Sequence, residues 1–383
     1  MDVVAVGLAL GLLPATAAAL YYFALTLAGW TARRPGEGAA PRLHVTVLVP
    51  AHDEERTVAD AVRSVAASDY PADLLSVVVV ADNCSDGTAA VARALGAVAL
   101  ERRDPARRGK GFALAYGLDR VLSTPTDAVM VVDADCELAP HAVRRLVAAL
   151  EAGADVAQAA VVTRNPQVMP AGLIAGVGGQ LENAVAAGLD RLGYRTGLRG
   201  TGMAFRRAVL EAHRWDAFGL TEDAEYAGRL RLAGVGVKFV LDAEVRSEAP
   251  PTAAAFGTQR RRWRAALFTP GFGVAHKLLS SKPLVLAQLT LTLAVVALAL
   301  PWLPPPTDRL LAAWAGGLIL LTALPYLYAI RRGDYDAGGF VGLARSALLT
   351  ARLVAVTIGG LTRRDRGWQR TLRVAESPAR GRA

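Results

Sequence analysis

The sequence predicts an α/β domain, an open and mostly parallel sheet with helices on both faces, joined to transmembrane and interfacial helices. Two observations carry this reading. From His44 to about Pro250, short β-branched runs alternate with stretches of helical periodicity, and a βαβα order is what a parallel sheet needs. Across the 383 residues, 53% are apolar, 20% are charged and mean hydropathy is +0.30. That is too apolar for an ordinary soluble domain and far from a disordered one.

The elements follow in order. Residues 45–49 form the first expected strand, succeeded by a turn and an amphipathic stretch over 54–67. Residues 77–80, 129–132 and 156–161 are further runs of the kind that is buried on both faces. Helical periodicity covers 88–95 and 111–122. Ligands of such sheets collect beyond the carboxyl ends of the strands, so the polar residues just after each strand deserve scrutiny. The first strand is followed by Pro50-Ala51-His52-Asp53-Glu54-Glu55, the second by Asp82-Asn83-Cys84-Ser85-Asp86-Gly87-Thr88, and a later one by Asp133-Ala134-Asp135. Carboxylates gathered at one sheet edge repel one another unless a positive charge sits among them, and a divalent cation is the usual one. Gly109-Lys110-Gly111, after Arg107 and Arg108, is a flexible basic loop suited to phosphate oxygens or equally to solvent. Further on come Gly200-Thr201-Gly202, then Thr221-Glu222-Asp223 opening a helical stretch over 224–232, and then Gln259-Arg260-Arg261-Arg262-Trp263. Thr221 also suits a helix N-cap, with Glu222 and Asp223 complementing the helix dipole. The absence of GxGxxG after a strand and of GxxxxGK[ST] removes the main support for a dinucleotide-dependent oxidoreductase or a P-loop NTPase.

Residues 3–30 carry no charge and exceed the roughly 20 residues needed to cross a bilayer. A cleaved signal peptide is the alternative, since Ala15, Ala17 and Ala19 are small, but only Asp2 precedes the run and the run is too long for a signal. Residues 284–303 and 310–330 read as two more spans joined by the Pro304-Pro305-Pro306-Thr307-Asp308-Arg309 turn. Arg33, Arg34, Arg42, Lys277, Lys282, Arg331 and Arg332 flank one side of these spans and Arg309 the other, which places residues 31–283 in the cytoplasm of an integral inner-membrane protein. Residues 265–283 are expected at the interface. Residues 340–361 contain Arg345 and Arg352 and read as an interfacial amphipathic helix, a fourth span being the alternative. Residues 362–383 form a basic cytoplasmic tail near lipid headgroups. Its arginines account for much of the net charge of +9, so no nucleic-acid partner is predicted. Cys84 and Cys136 cannot build a disulfide framework, which fits a reducing compartment.

Taken together, the ordered motifs resemble a membrane-bound family 2 glycosyltransferase, whose catalytic domain has the Rossmann-type GT-A fold. The resemblance covers residues 44–264 and rests on Pro50 to Glu55, Asp82 with Asp86-Gly87-Thr88, Gly109-Lys110-Gly111, the DxD of Asp133 and Asp135, the TED of Thr221 to Asp223, and the QxxRW of Gln259 to Trp263. One departure is Asp53, where the family commonly has Asn. The resemblance implies that Pro50, Ala51, His52, Glu54 and Asp82 line a nucleoside pocket, Asp82 accepting from base or ribose, with Lys110 near the nucleotide. It implies that Asp133 and Asp135 hold Mg²⁺ or Mn²⁺ against the diphosphate, Asp133 touching both. Asp223 would be the general base, Glu222 being the alternative, with Gln259, Arg262 and Trp263 beside the leaving group and acceptor.

The implied reaction is inverting transfer of a sugar from a nucleotide-sugar donor, expected to be a UDP-sugar, to a membrane-associated lipid or polysaccharide acceptor. Partners of polysaccharide synthesis or export remain compatible with it. The apolar stretch over 172–192, with Glu182 and Asn183, suits either a helix at the bilayer surface that brings the acceptor to Asp223 or a buried core helix. Two rivals are a non-catalytic nucleotide-sugar-binding scaffold of a polysaccharide synthesis complex and a nucleotidyltransferase. The second gives the Gln-Arg-Trp motif no task.

Overall fold

The computed structural model describes residues 3–30, 40–164, 170–249, 252, 259 and 293–333. Helix α1 (Val3–Trp30) precedes the domain. The domain runs β1 (Val45–Ala51), α2 (Val58–Ala66), β2 (Leu75–Asp82), α3 (Thr88–Ala94), β3 (Val98–Arg102), α4 (Lys110–Val121), β4 (Ala128–Val131), β5 (Cys136–Leu138) and α5 (Ala142–Glu151). It continues with β6 (Val156–Thr163), α6 (Pro170–Arg191), β7 (Met203–Arg206), α7 (Arg207–Ala212), α8 (Glu222–Leu232) and β8 (Val237–Ser247).

All described strands join one sheet in the order β3-β2-β1-β4-β7-β6-β8-β5. β3, β2, β1 and β4 are parallel, as are β6 and β8. β7 runs antiparallel between β4 and β6, and β5 antiparallel on β8. The four strands expected from apolar runs are β1, β2, β4 and β6. The other four escape that reading for physical reasons. β5 and β7 are three and four residues long, β3 ends in Glu101 and Arg102, and β8 mixes Lys238, Asp242, Glu244 and Arg246 into an edge-like pattern.

Every residue of β1 is buried because the strand has neighbours on both sides and helices on both faces. Its side chains alternate as a strand must. Val45, Val47 and Val49 pack with Val58, Val62 and Leu146 of α2 and α5, whereas Leu48 packs with Leu114 and Leu118 of α4. Two cores therefore clamp the sheet and hold the carboxyl ends of β2, β1 and β4 side by side.

α1 and the helix Thr307–Arg332 are long and apolar enough to cross a membrane. Leu12, Ala15 and Ala19 pack against Val296, Leu311 and Leu318, while Leu10, Leu20, Leu310 and Leu320 stay exposed. Of the expected span over 284–303, the described part is the short apolar helix Leu293–Trp302. The next helix starts at Thr307, before the expected residue 310, with Asp308 in its first turn. The expectations for residues 265–283, 340–361 and 362–383 fall outside the described residues.

α6 packs against both the apolar helices and the sheet, which is the buried helix that one of the two readings of residues 172–192 expects. Leu173, Val177 and Leu181 pack with Tyr22 and Ile330, and Ala186 and Ala187 with Ala160 and Phe239 of the sheet. Gly29 and Gly188 let α1 and α6 approach closely, since a Cβ on Gly188 would overlap the Leu25 carbonyl and one on Gly29 the Ala184 carbonyl.

Candidate functional site

The candidate residues lie along the carboxyl edge of β2, β1 and β4 in two clusters, one at the ends of β1 and β2 and one around the Lys110 ammonium. At the first cluster, β1 ends in Pro50 and Ala51, both buried and paired to Val80 and Ala81 of β2. His52 places Nδ1 2.7 Å from the Asp82 carbonyl. Glu54, also buried, accepts from the Thr57 hydroxyl at 2.6 Å, while its backbone N–H donates to Thr88 Oγ1 at 2.9 Å. Asp53 adopts a left-handed φ of 52°, which Asp tolerates better than most residues. Its Oδ1 accepts from the Ser85 N–H at 2.7 Å. The departure from Asn thus keeps a turn-forming role.

Asp82 has a partner that sequence reasoning missed. Arg102, at the end of β3, donates from Nη1 to Asp82 Oδ1 at 2.5 Å, and both side chains are more than nine-tenths buried. The same guanidinium reaches Asp104 Oδ2 at 3.1 Å and the Arg107 carbonyl at 2.8 Å. It therefore ties Asp82 to the basic loop before Lys110. In the run Glu101-Arg102-Arg103 nothing distinguishes the buried arginine from the exposed one beside it.

The second cluster gathers residues far apart in the chain. Lys110, first residue of α4, places Nζ 2.5 Å from Asp133 Oδ1 and 3.5 Å from Glu222 Oε1, and donates to the Gly200 carbonyl at 2.8 Å. Gly200 has φ of 79°, and a Cβ there would lie 3.3 Å from Lys110 Nζ and 3.5 Å from Asp223 Oδ2. Both charges thus pack against one point of backbone. The Asp133 N–H donates to Thr201 Oγ1 at 3.1 Å. Of the Gly-Thr-Gly visible in sequence but without a task, Gly200 lies between Lys110 and Asp223, and Thr201 beside Asp133. Thr221 does occupy the N-cap position of α8, without a side-chain capping bond.

Electrostatics sets this cluster apart. Burial, reinforced by the Glu222 carboxylate, pushes the Asp223 carboxyl up from 3.8 to about 7, against the opposing pull of Lys110. Burial likewise raises Asp133, partly offset by Lys110. For Lys110 burial acts to lower the value, but the carboxylates of Asp133, Glu222 and Asp223 outweigh it and hold the ammonium above its ordinary range.

Asp133, Asp135 and Cys136 offer ligand atoms within 4.8 Å of one another. Two carboxylates suit a hard cation such as Mg²⁺ or Mn²⁺. The Cys136 thiol, buried and pushed up by that burial, adds nothing such an ion favours. The donor set therefore fits the expected cation through Asp133 and Asp135. Of the remaining expected residues, Gln259 is helical and partly exposed, while Arg262 and Trp263 fall outside the described residues.

Known proteins agree with this architecture. The structure of the mannosyltransferase PcManGT from Pyrobaculum calidifontis, in complex with GDP-Man and Mn²⁺, superposes with a TM-score of 0.55 at 20% identity, covering 87% of this chain and 98% of that one. At this identity the likeness is one of fold. "Beta-monoglucosyldiacylglycerol synthase" of Synechocystis sp. is 29% identical over 309 residues, 75% of this chain and 61% of that protein. "Probable glycosyltransferase YdaM" of Bacillus subtilis is 28% identical over 235 residues, 57% of this chain and 54% of that protein. The chain thus spans a little over half the length of these relatives. A family model described as "Glycosyltransferase like family 2" matches residues 41–266, more than half of the sequence and the whole of the sheet. On that match the chain belongs to glycosyltransferase family 2.

Proposed function

We propose that the protein is an inverting, divalent-cation-dependent glycosyltransferase that moves a sugar from a nucleotide-sugar donor to a lipid acceptor at the cytoplasmic face of the cell membrane. The observation that carries this is the meeting of Lys110, Asp133, Glu222 and Asp223 at one sheet edge. The nucleoside would lie over Pro50, His52, Glu54 and Asp82, with Asp82 Oδ2 facing it because Oδ1 serves Arg102. The diphosphate would lie toward Asp133 and Lys110. When bound at Asp133 and Asp135, Mg²⁺ or Mn²⁺ would neutralise charge on the departing diphosphate.

A sugar hydroxyl is a poor nucleophile. Asp223 takes its proton as the oxygen attacks the anomeric carbon and the bond to the diphosphate breaks. A carboxyl with a value near 7 is well matched to that task at neutral pH. Single displacement inverts the anomeric centre. By the family resemblance, Gln259, Arg262 and Trp263 stand beside the leaving group and acceptor.

The lipid acceptor and membrane location rest on α1 and Thr307–Arg332, whose exposed leucines suit lipid contact, and on the glycolipid synthase among the relatives. α6 bridges those helices to the sheet, so an acceptor held in the bilayer would approach the domain along it. The test uses the purified full chain in lipid vesicles containing diacylglycerol, with UDP- and GDP-sugars, with and without Mn²⁺. Release of nucleoside diphosphate together with a new inverted glycolipid is expected. Binding of donor with no release in any combination would instead make the protein a nucleotide-sugar-binding scaffold.

A further inference from the structure

Lys110 already occupies the charge position that a cation at Asp133 would need. We propose that its ammonium is the resident counter-ion of the metal site and must move from Asp133 to the diphosphate before a divalent cation binds tightly, so that cation and nucleotide bind cooperatively. The inference rests on the metal reading above and concerns the order and coupling of binding.

An ammonium has three N–H donors, and here they face three fixed acceptors from different parts of the chain: Asp133 Oδ1 at 2.5 Å, the Gly200 carbonyl at 2.8 Å and Glu222 Oε1 at 3.5 Å. The Lys110 side chain is 22% exposed and that of Asp133 32%, so water screens the pair only in part. A divalent cation on Asp133 would share one carboxylate with an ammonium, and like charges at that range oppose each other. Glu222 is already within 3.5 Å of Nζ, so further relief needs an anion that the ammonium does not yet contact. The incoming diphosphate is such an anion, and the flexible four-carbon stem of lysine can carry Nζ to it without moving α4. Glu222 and Gly200 would keep Nζ within reach of the site throughout. Coupling of this kind is reciprocal: diphosphate raises cation affinity by the factor by which the cation raises diphosphate affinity.

The experiment titrates Mn²⁺ into the full chain in detergent, reading free Mn²⁺ by electron paramagnetic resonance, without nucleotide and with UDP or GDP. Lys110→Gln is expected to bind Mn²⁺ alone about tenfold more tightly than wild type and to gain about tenfold less from the nucleotide, a coupling of ordinary size. Lys110→Arg keeps the charge and should resemble wild type. Should the Gln variant fail to fold, Lys110→Met, neutral and of similar length, takes its place. Wild type that binds Mn²⁺ with nucleotide, beside a neutral variant no tighter than wild type for Mn²⁺ alone, overturns this inference and spares the metal reading. No Mn²⁺ bound by wild type even with nucleotide overturns both.

Discussion

The two charge clusters of the sheet edge are built alike and behave oppositely. Asp82 and Arg102 form a balanced buried pair, with Arg102 also reaching Asp104 and a carbonyl. Within the buried pair the charges cancel one for one, and the further carboxylate, Asp104, is a third exposed and screened by water. Around Lys110, by contrast, one ammonium serves Asp133 and Glu222 with Asp223 close by. Carboxylates outnumber cations there, so the cluster is paid for by the rest of the fold and is relaxed only by a further positive charge or a proton. The proposed mechanism accordingly gives the balanced cluster the positioning and the unbalanced one the chemistry.

Substitutions that treat the two clusters alike should therefore give different failures. Asp223→Asn is expected to lower kcat by about a thousandfold, within the usual range for loss of a general base, with nucleotide affinity by calorimetry unchanged. Full turnover in that variant would move the base to Glu222. Arg102→Ala should do the reverse. It leaves Asp82 buried and unpaired, which costs about 3 kcal/mol of stability, read as a lower Tm. Replacing both partners by leucine should recover most of that stability while nucleotide affinity stays low, which separates the pair's structural part from its binding part. A smaller effect follows from Asp133→Asn: nucleotide affinity in the presence of Mn²⁺ should fall about tenfold, by about 1.4 kcal/mol, with little change when Mn²⁺ is left out. Equal loss under both conditions would argue against a metal at Asp133.

The same contrast explains what could be read from sequence. β1, β2, β4 and β6 are legible because central strands with neighbours on both sides carry mostly apolar runs, and the carboxylates after them are legible because polar residues stand out there. Asp133, Lys110 and Asp223 were singled out from motif order and do meet. Arg102 is invisible because one of two adjacent arginines in a charged run looks solvated, and only the parallel pairing of β3 with β2 turns it inward. β7 was missed because its four residues are no longer than a loop, yet it sets Thr201 against Asp133. Long-range pairing, and not local pattern, assembled the unbalanced cluster.

The raised Asp223 carboxyl also makes the contrast titratable. An acid whose value is 3.8 when unfolded and about 7 when folded binds more protons in the native state across that interval, so native stability falls as pH rises from about 4 through 7. The contribution is fully present below the unfolded value and gone above the folded one. Activity moves the other way, since only the carboxylate accepts a proton: kcat should climb through about pH 7 to a plateau. Asp223→Asn removes both behaviours at once. Its Tm should exceed that of wild type at pH 8, and the gap should narrow as pH falls through 7 and close below about pH 4, where the carboxyl is neutral in both the folded and the unfolded chain. A gap that stays constant with pH would show that the gain comes from packing and that Asp223 titrates near its ordinary value, which would also leave the limb in kcat to another group.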